Sequence, residues 1–346
     1  MTASAKTISD ALLHWYDVNA RDLPWRNPPG APRPSDPAWP YRVWLSEVML
    51  QQTTVAAVKP YFAKFVETWP TVEALAAADD ADVMSAWAGL GYYSRARNLV
   101  KCARGVAKRG GFPETETELR ELPGLGPYTA AAIAAIAFDQ RAVVVDANVE
   151  RVVARLFKIE EPLPGARKAI RERAEEVTPV QSSGDFAQAM MDLGSSICTS
   201  RDPKCLLCPL MEMCKAKAIG DPAKLPVKAP KKAKPERKGR AFWIERDEMV
   251  WLVTRPGTSM LGGMRALPDD GWSAQADGSG DAPSAGEIKI LGAVRHVFTH
   301  ASLTLEVMHL DAEPWGEGEW WPLAQIDDAG LPTLFAKAAR LALAQR

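Results

Sequence analysis

Four cysteines, Cys198, Cys205, Cys208 and Cys214, follow one another as C-x6-C-x2-C-x5-C, so one short stretch of backbone supplies four thiolates. Thiolate sulfur is the soft ligand of zinc and of iron–sulfur centres, and a closed four-Cys set leaves no open position for a substrate. Two disulfides or four apolar core thiols are the plainer alternatives. Both are disfavoured, because the only other cysteine is Cys102 and the chain opens without an apolar leader, which predicts a reducing, cytoplasmic setting. Zinc ribbons use two C-x2-4-C knuckles, and here only Cys205 and Cys208 form one, so the spacing favours a 4Fe-4S cluster over zinc.

A second chemical signal is Leu122-Pro123-Gly124-Leu125-Gly126-Pro127-Tyr128-Thr129, set between a helix-like segment, Glu116 to Glu121, and an alanine-rich one, Thr129 to Phe138. Gly124 and Gly126 permit positive φ and carry no side chains, so the N–H groups opening the second helix can approach a phosphate oxygen, aided by the helix dipole. An ordinary αα-corner would look the same if it stood alone. Here the chain runs on through Ala142 to Val149, which places the Asp146 carboxylate at the mouth of another helix starting near Asn148. A plain N-cap is the bland reading of Asp146.

These residues need a scaffold. The chain has 346 residues, 47% of them hydrophobic, and no apolar run long enough to span a bilayer, so two domains are the natural expectation. Its net charge of -1 says little about partners, whereas residues 198–240 hold twelve Lys/Arg against four Asp/Glu. The Pro- and Lys-rich part of that stretch, 226–240, reads as an extended connector, and the cysteine loop as a phosphate-holding patch. Before the connector, apolar residues recur at three and four, as in Trp44, Leu45, Val48 and Met49, which predicts helices. Residues 27–40 carry six prolines and predict a surface loop that leads into a helix near Val43. After the connector, Met249 to Thr254, Ile288 to Val294 and Leu303 to Leu310 are short and β-branched or alternating, the pattern of an α+β domain.

The helix-hairpin-helix, the Asp that follows it and the cysteine loop together resemble the DNA glycosylase superfamily that includes endonuclease III. Ser46 to Thr53 (SEVMLQQT), Gly89 to Arg95 (GLGYYSR) and Phe186 to Gly194 (FAQAMMDLG) are similar to adenine DNA glycosylases of the MutY type, and the likeness runs over almost the whole chain. It implies a mainly α glycosylase domain at 1–225 with hairpin and iron–sulfur loop, a linker at 226–240, and an α+β, Nudix-like domain at 241–346. The implied reaction flips adenine out of a duplex, from opposite 8-oxoguanine or guanine, and hydrolyses its N-glycosidic bond.

Breaking that bond needs an acid for the departing base and an anion facing the cationic sugar. Glu47 lies on an apolar helical run where burial would keep it protonated. The resemblance assigns it protonation of the base and handling of the water, and assigns Asp146, ionised, to the sugar cation. Relatives that also nick the strand carry a lysine at position 128, as Schiff-base nucleophile. Tyr128 stands there, which implies a monofunctional enzyme. The resemblance further gives Gln51, Leu90 and Tyr92 as wedge and stacking residues, Gly124 and Gly126 as backbone contacts, and Arg26 and Gln188 as readers of the adenine edge. The Pro-rich loop after Arg26 is longer than the family pattern.

In the C-terminal part, Arg255-Pro256, Gly262-Gly263-Met264 and Leu331 to Phe335 carry the Nudix likeness, although Met264 to Pro268 replaces a segment usually richer in Trp and Phe. The G-x5-E-x7-R-E-x2-E-E box that would hold catalytic magnesium is missing, so this domain should bind without hydrolysing. Phe298, Thr299 and His300 match the lesion-reading loop of the family. A monomer associated with the nucleoid is expected. A related glycosylase acting on another base, or a non-catalytic iron–sulfur DNA-binding protein, are the competing readings.

Overall fold

The computed structural model describes residues 4–229, 233–256, 260–298, 300–314 and 316–346. By packing, the chain divides into two units, Met1–Ala86 with Ser94–Pro230, and Trp87–Tyr93 with Lys231–Arg346.

The first unit is helical. Ala5–Asn19 (α1) begins after Ser4, whose hydroxyl accepts from the Thr7 N–H at 3.2 Å, the usual way of satisfying a first-turn donor. Trp39–Leu50 (α2), Val55–Thr68 (α3), Val72–Ala76 (α4), Asp80–Trp87 (α5) and Ser94–Arg109 (α6) follow. Helix α2 starts at Trp39 rather than near Val43. Pro40 falls in its first turn, where a missing N–H leaves no carbonyl unsatisfied, so the proline run ends inside the helix.

Glu116–Leu119 (α7) is a single turn, and the hairpin after it feeds Pro127–Phe138 (α8). Nearly all of α8 is buried, because an alanine-rich helix that is apolar all round has no polar face to give to water. Ala147–Phe157 (α9), Arg167–Val177 (α10) and Ser183–Ser196 (α11) complete the body of the unit. Helix α8 packs on both α2 and α11, and α11 also packs on α1 and α9. The cysteine loop contains two 3-10 turns, Cys205–Leu207 and Met211–Met213, then Lys215–Ala218 (α12), which lies against α9.

The second unit is α+β. Glu236–Trp243 (β1) runs parallel to Ser302–Asp311 (β6), and Glu287–Val297 (β5) pairs antiparallel on the far side of β6. Met249–Thr254 (β3) pairs antiparallel with Glu245–Arg246 (β2), Arg265–Ala266 (β4) and Gly318–Pro322 (β7). Thr333–Leu343 (α13) covers β5, β6 and β1, and Trp243, Leu252, Leu305 and Phe335 meet in the core. Much of the expected connector carries structure: the Leu163 N–H donates to the Val227 carbonyl at 2.9 Å, and β1 begins at Glu236. Residues 230–232 lie outside the described part.

Candidate active site

Glu47 sits in the third turn of α2, where almost every neighbour on the helix is buried, and it is itself only 6% exposed. Tyr128, in the first turn of α8, donates its hydroxyl to Glu47 Oε2 at 2.5 Å. Burial lifts the Glu47 carboxyl above the ordinary glutamate range; the Tyr128 bond and Arg26 oppose that rise, and Asp146 reinforces it. Removing the Tyr128 hydroxyl removes a bond that favours the anion. In Tyr128→Phe the Glu47 pKa therefore moves further up, and the alkaline limb of a pH–rate profile that requires protonated Glu47 shifts to higher pH.

Asp146 is the N-cap of α9. Its Oδ1 accepts from the Val149 N–H at 2.7 Å, and its Oδ2 accepts from Asn148 Nδ2 at 2.8 Å. Burial raises this carboxyl above its usual range while those two bonds pull it down. Both oxygens are thus committed as acceptors at a helix N-terminus, the surroundings of a carboxylate. Glu47, Tyr128 and Asp146 line one cavity of about 830 Å³, together with Gln51 and Gln188. None of the described residues lining it is a lysine.

Arg26, which the resemblance gives as a reader of the adenine edge, also lines this cavity and is held by Asp192. Its Nη1 donates to Asp192 Oδ2 at 2.7 Å and its Nη2 to Oδ1 at 2.9 Å, and its side chain is only 8% exposed. Burial alone would raise the Asp192 carboxyl, and Arg26 with Arg21 overcomes this and holds it below the ordinary range. Arg21 donates from Nε to Asp192 Oδ1 at 2.6 Å yet stays 35% exposed, so it is the guanidinium with a face left for a ligand. Sequence reading missed Arg21, Leu23 and Trp25, which all line the cavity. No periodic signal marked them, because the Arg26 N–H donates to the Leu23 carbonyl at 2.9 Å and closes a turn within this segment.

The hairpin glycines differ. Gly124 has φ +79, and a Cβ there would lie 2.7 Å from Asn98 Cβ. Gly126 has an ordinary extended backbone, φ -80 and ψ 174, with open space around it, so of the two glycines only Gly124 uses the positive φ that both permit. As N-cap of α8 it has no side chain to occupy the first-turn donors, so they stay open to an anion. Gly124→Ala is expected to lower stability by about 1–3 kcal/mol and Gly126→Ala by under about 0.5, read as shifts in the denaturant midpoint.

Among the wedge candidates, Gln51 donates from Nε2 to Thr129 Oγ1 at 3.1 Å on the cavity wall. Leu90 is buried, 7% exposed, whereas Tyr92 is 47% exposed. Positive φ at Gly89, Gly91 and Tyr92 curls this turn, with the tyrosine as the more exposed side chain. At the β5–β6 turn, Phe298 stacks on Trp272 at 5.8 Å between ring centroids, and His300 is exposed. Thr299 lies outside the described residues.

The four cysteines are half-buried and unbridged. Burial pushes the Cys208 thiol up to about 12, and Cys198, Cys214 and Cys205 add to the rise. Arg155 donates from Nη1 to Cys198 Sγ at 3.3 Å, and Arg151 donates from Nε to the Cys198 carbonyl at 2.7 Å. Arg151 Nη2 also donates to Asn148 Oδ1 at 2.9 Å, so hydrogen bonds run from the cysteine loop through Arg151 and Asn148 to Asp146. Nothing local marked Asn148 or Arg151 in the sequence.

Residues 45–179 match the HhH-GPD superfamily of base excision DNA repair proteins, and residues 240–341 match the NUDIX domain. The adenine DNA glycosylase of Buchnera aphidicola (Acyrthosiphon pisum) is 37% identical over 70% of this chain and 69% of its own length. That of Homo sapiens is 33% identical over 90% of this chain and 68% of its own. This chain belongs to the adenine DNA glycosylase family. Among solved structures, a thermostable thymine-DNA glycosylase is 30% identical with a TM-score of 0.54, covering 62% of this chain and 97% of that one. An endonuclease III trapped as a covalent intermediate with DNA shares the fold at 23% identity and TM-score 0.52, covering 63% of this chain and 99% of that one. The adenine glycosylase fold thus comprises the helical unit with its hairpin and the Nudix-like unit. Among the described residues, no helix is long and apolar enough to cross a membrane.

Proposed function

We propose that the chain is a monofunctional DNA glycosylase of base excision repair that removes adenine paired with 8-oxoguanine, and less efficiently with guanine. The observation that carries this is the buried Glu47 carboxyl bonded to Tyr128 in one cavity with Asp146 and, among the described residues, no lysine. Glu47, kept protonated by burial, gives its proton to the departing base, and the Tyr128 hydroxyl holds the carboxyl in place. Asp146 presents its charge to the sugar as positive charge builds there, and α9 with Asn148 fixes its oxygens. With the base gone, Glu47 is an anion able to take a proton from water. Gln188 lines the same cavity, where its amide offers the paired donor and acceptor that adenine's edge needs.

In this reading residues 1–225 perform the chemistry and residues 241–346 read the opposite strand, with the turn of Phe298 and His300 as the reading loop. Gly124, Gly126, Gln51 and Tyr92 face the DNA, and the enzyme works as a monomer on the bacterial chromosome. Cys198, Cys205, Cys208 and Cys214 would hold a 4Fe-4S cluster, a structural group that braces the basic loop. Among the described residues no three metal-binding side chains converge on a single-ion site, although the four sulfurs influence one another. The C-x6-C-x2-C-x5-C spacing favours a cluster over one zinc.

The test is single-turnover cleavage of a duplex with adenine opposite 8-oxoguanine, with products resolved before and after alkali. Strand breaks seen only after alkali support the reading. Nicking without alkali would show an amine nucleophile, and no base release would remove the assignment.

A further inference from the structure

One wall of the base cavity is made by Gln188, Met191 and Ser195 of α11. Asp192 of the same helix lies behind that wall, with a side chain only 1% exposed. A carboxylate so deep stays charged only where cations and hydrogen bonds replace its water. Two guanidiniums from the segment before α2 do this. Arg26 grips both oxygens as a fork, and Arg21 gives its main-chain N–H to Oδ2 at 3.1 Å and its Nε to Oδ1 at 2.6 Å.

The two arginines depend on Asp192 to different degrees. The Arg21 side chain is part-exposed, so water screens it, whereas Arg26 is buried and its guanidinium bonds only to Asp192 among the described residues. The Arg26 charge is felt at Glu47, where it favours the anion against burial and Asp146. The other groups facing Glu47 are accounted for: Tyr128 bonds to it, and Arg95 of α6 spends its Nη1 on the carbonyls of Val48, Met49 and Gln51 at the end of α2. Around Arg26 and Asp192, burial pushes the Tyr16 phenol of α1 up to about 12, so it stays neutral, and half-buried Asp185 accepts from the Gly30 N–H instead. Asp192 is thus the anion that offsets Arg26, and without it an uncompensated guanidinium would stand beside the acid.

We propose that Asp192 is a positioning residue for base release: it ties Arg21 and Arg26 to the wall of the base cavity and, by neutralising Arg26, leaves Glu47 in the acid form that can give a proton. The proposal rests on the adenine glycosylase reading, in which Glu47 is the acid. Asp192 acts through the arginines, since it does not itself line the cavity.

The experiment is single-turnover base release from the duplex with adenine opposite 8-oxoguanine across a range of pH, with urea midpoints of the same preparations. In Asp192→Asn the alkaline limb moves to lower pH, because the freed Arg26 charge favours the Glu47 anion, and release at alkaline pH falls by about tenfold to 100-fold. Asp192→Glu keeps the charge and holds the limb at its wild-type position. Arg26→Met, which leaves no guanidinium unpaired and so stands in should Asp192→Asn fail to fold, moves the limb the other way, to higher pH. A merely structural role would lower the urea midpoint and scale release equally at every pH, with the limb unmoved. An unmoved limb in Asp192→Asn, or in Arg26→Met where the Asn substitution does not fold, overturns the role of Asp192 alone if wild type releases adenine; so does a limb in Asp192→Glu that shifts as far as in Asp192→Asn. Wild type that releases no adenine at any pH overturns the functional reading, and the role of Asp192 with it.

Discussion

Replacing Glu47 by Gln is expected to lower single-turnover base release by about 1,000-fold or more while leaving affinity for the mispaired duplex unchanged, because the amide accepts the Tyr128 hydrogen bond but has no proton to give. The same substitution should stabilise the protein, which separates an active-site role from a scaffold role. The folded-state pKa of Glu47 is raised above its unfolded value, chiefly by burial. A carboxyl of that kind contributes its full stability below the unfolded value, near 4.3 for glutamate, and loses it as pH rises through the folded value. Glutamine does not titrate. Glu47→Gln therefore melts higher than wild type at pH 8, by about 3 °C for each 1 kcal/mol relieved, and the gain vanishes at pH 4. Thermal melts at both pH values check this. Equal melting temperatures at pH 8, or surviving turnover, would remove Glu47 from the role of buried acid.

The second large effect is expected at Arg155, which is 2% exposed and donates only to the chain around it. Its Nε donates to the Leu225 carbonyl at 2.9 Å, its Nη1 to the Thr199 carbonyl at 2.7 Å, and its Nη2 to the Ser200 carbonyl at 3.2 Å. Arg155→Met preserves the volume and strands those carbonyls in a buried site. A loss of about 3–5 kcal/mol follows, read as a fall of more than about 1 M in the urea midpoint of the helical unit. Iron per chain should fall in parallel, a readout independent of catalysis. Base release should fall by about tenfold even in the folded fraction, because the Cys198 carbonyl that Arg155 contacts is also the acceptor of Arg151, and Arg151 reaches Asp146 through Asn148. Arg155→Lys, which keeps a donor, should recover part of the stability. A Met variant with unchanged midpoint and iron content would show that the loop holds its shape without the guanidinium.

What could be read from the chain is what is local along it. The cysteine spacing, the hairpin glycines before an alanine-rich segment, the carboxylate ahead of α9 and the alternating strands β3, β5 and β6 each declare themselves within a few residues. Helix capping and strand alternation operate over that range, so these elements appear where expected, and the start of α2 moved only because proline is tolerated in a first turn. Glycine was the weaker guide: Gly124 needs its positive φ, while Gly126 serves by leaving a helix start uncovered.

Packing between distant segments settled the rest. Glu47 and Tyr128 stand 81 residues apart and meet because α2 lies on α8. The same long-range packing binds Arg26 to Asp192, 166 residues away. It buries Leu90 and leaves Tyr92 outside, and it sets Arg151 between the cysteine loop and the Asp146 cap. The sequence by itself determined which groups were available for chemistry, since residue type and short-range spacing are written in it directly. Which carboxyl is protonated, which guanidinium is spent and which side chain faces the substrate were decided only by the tertiary structure, because burial and hydrogen-bond partners come from segments far apart in the chain.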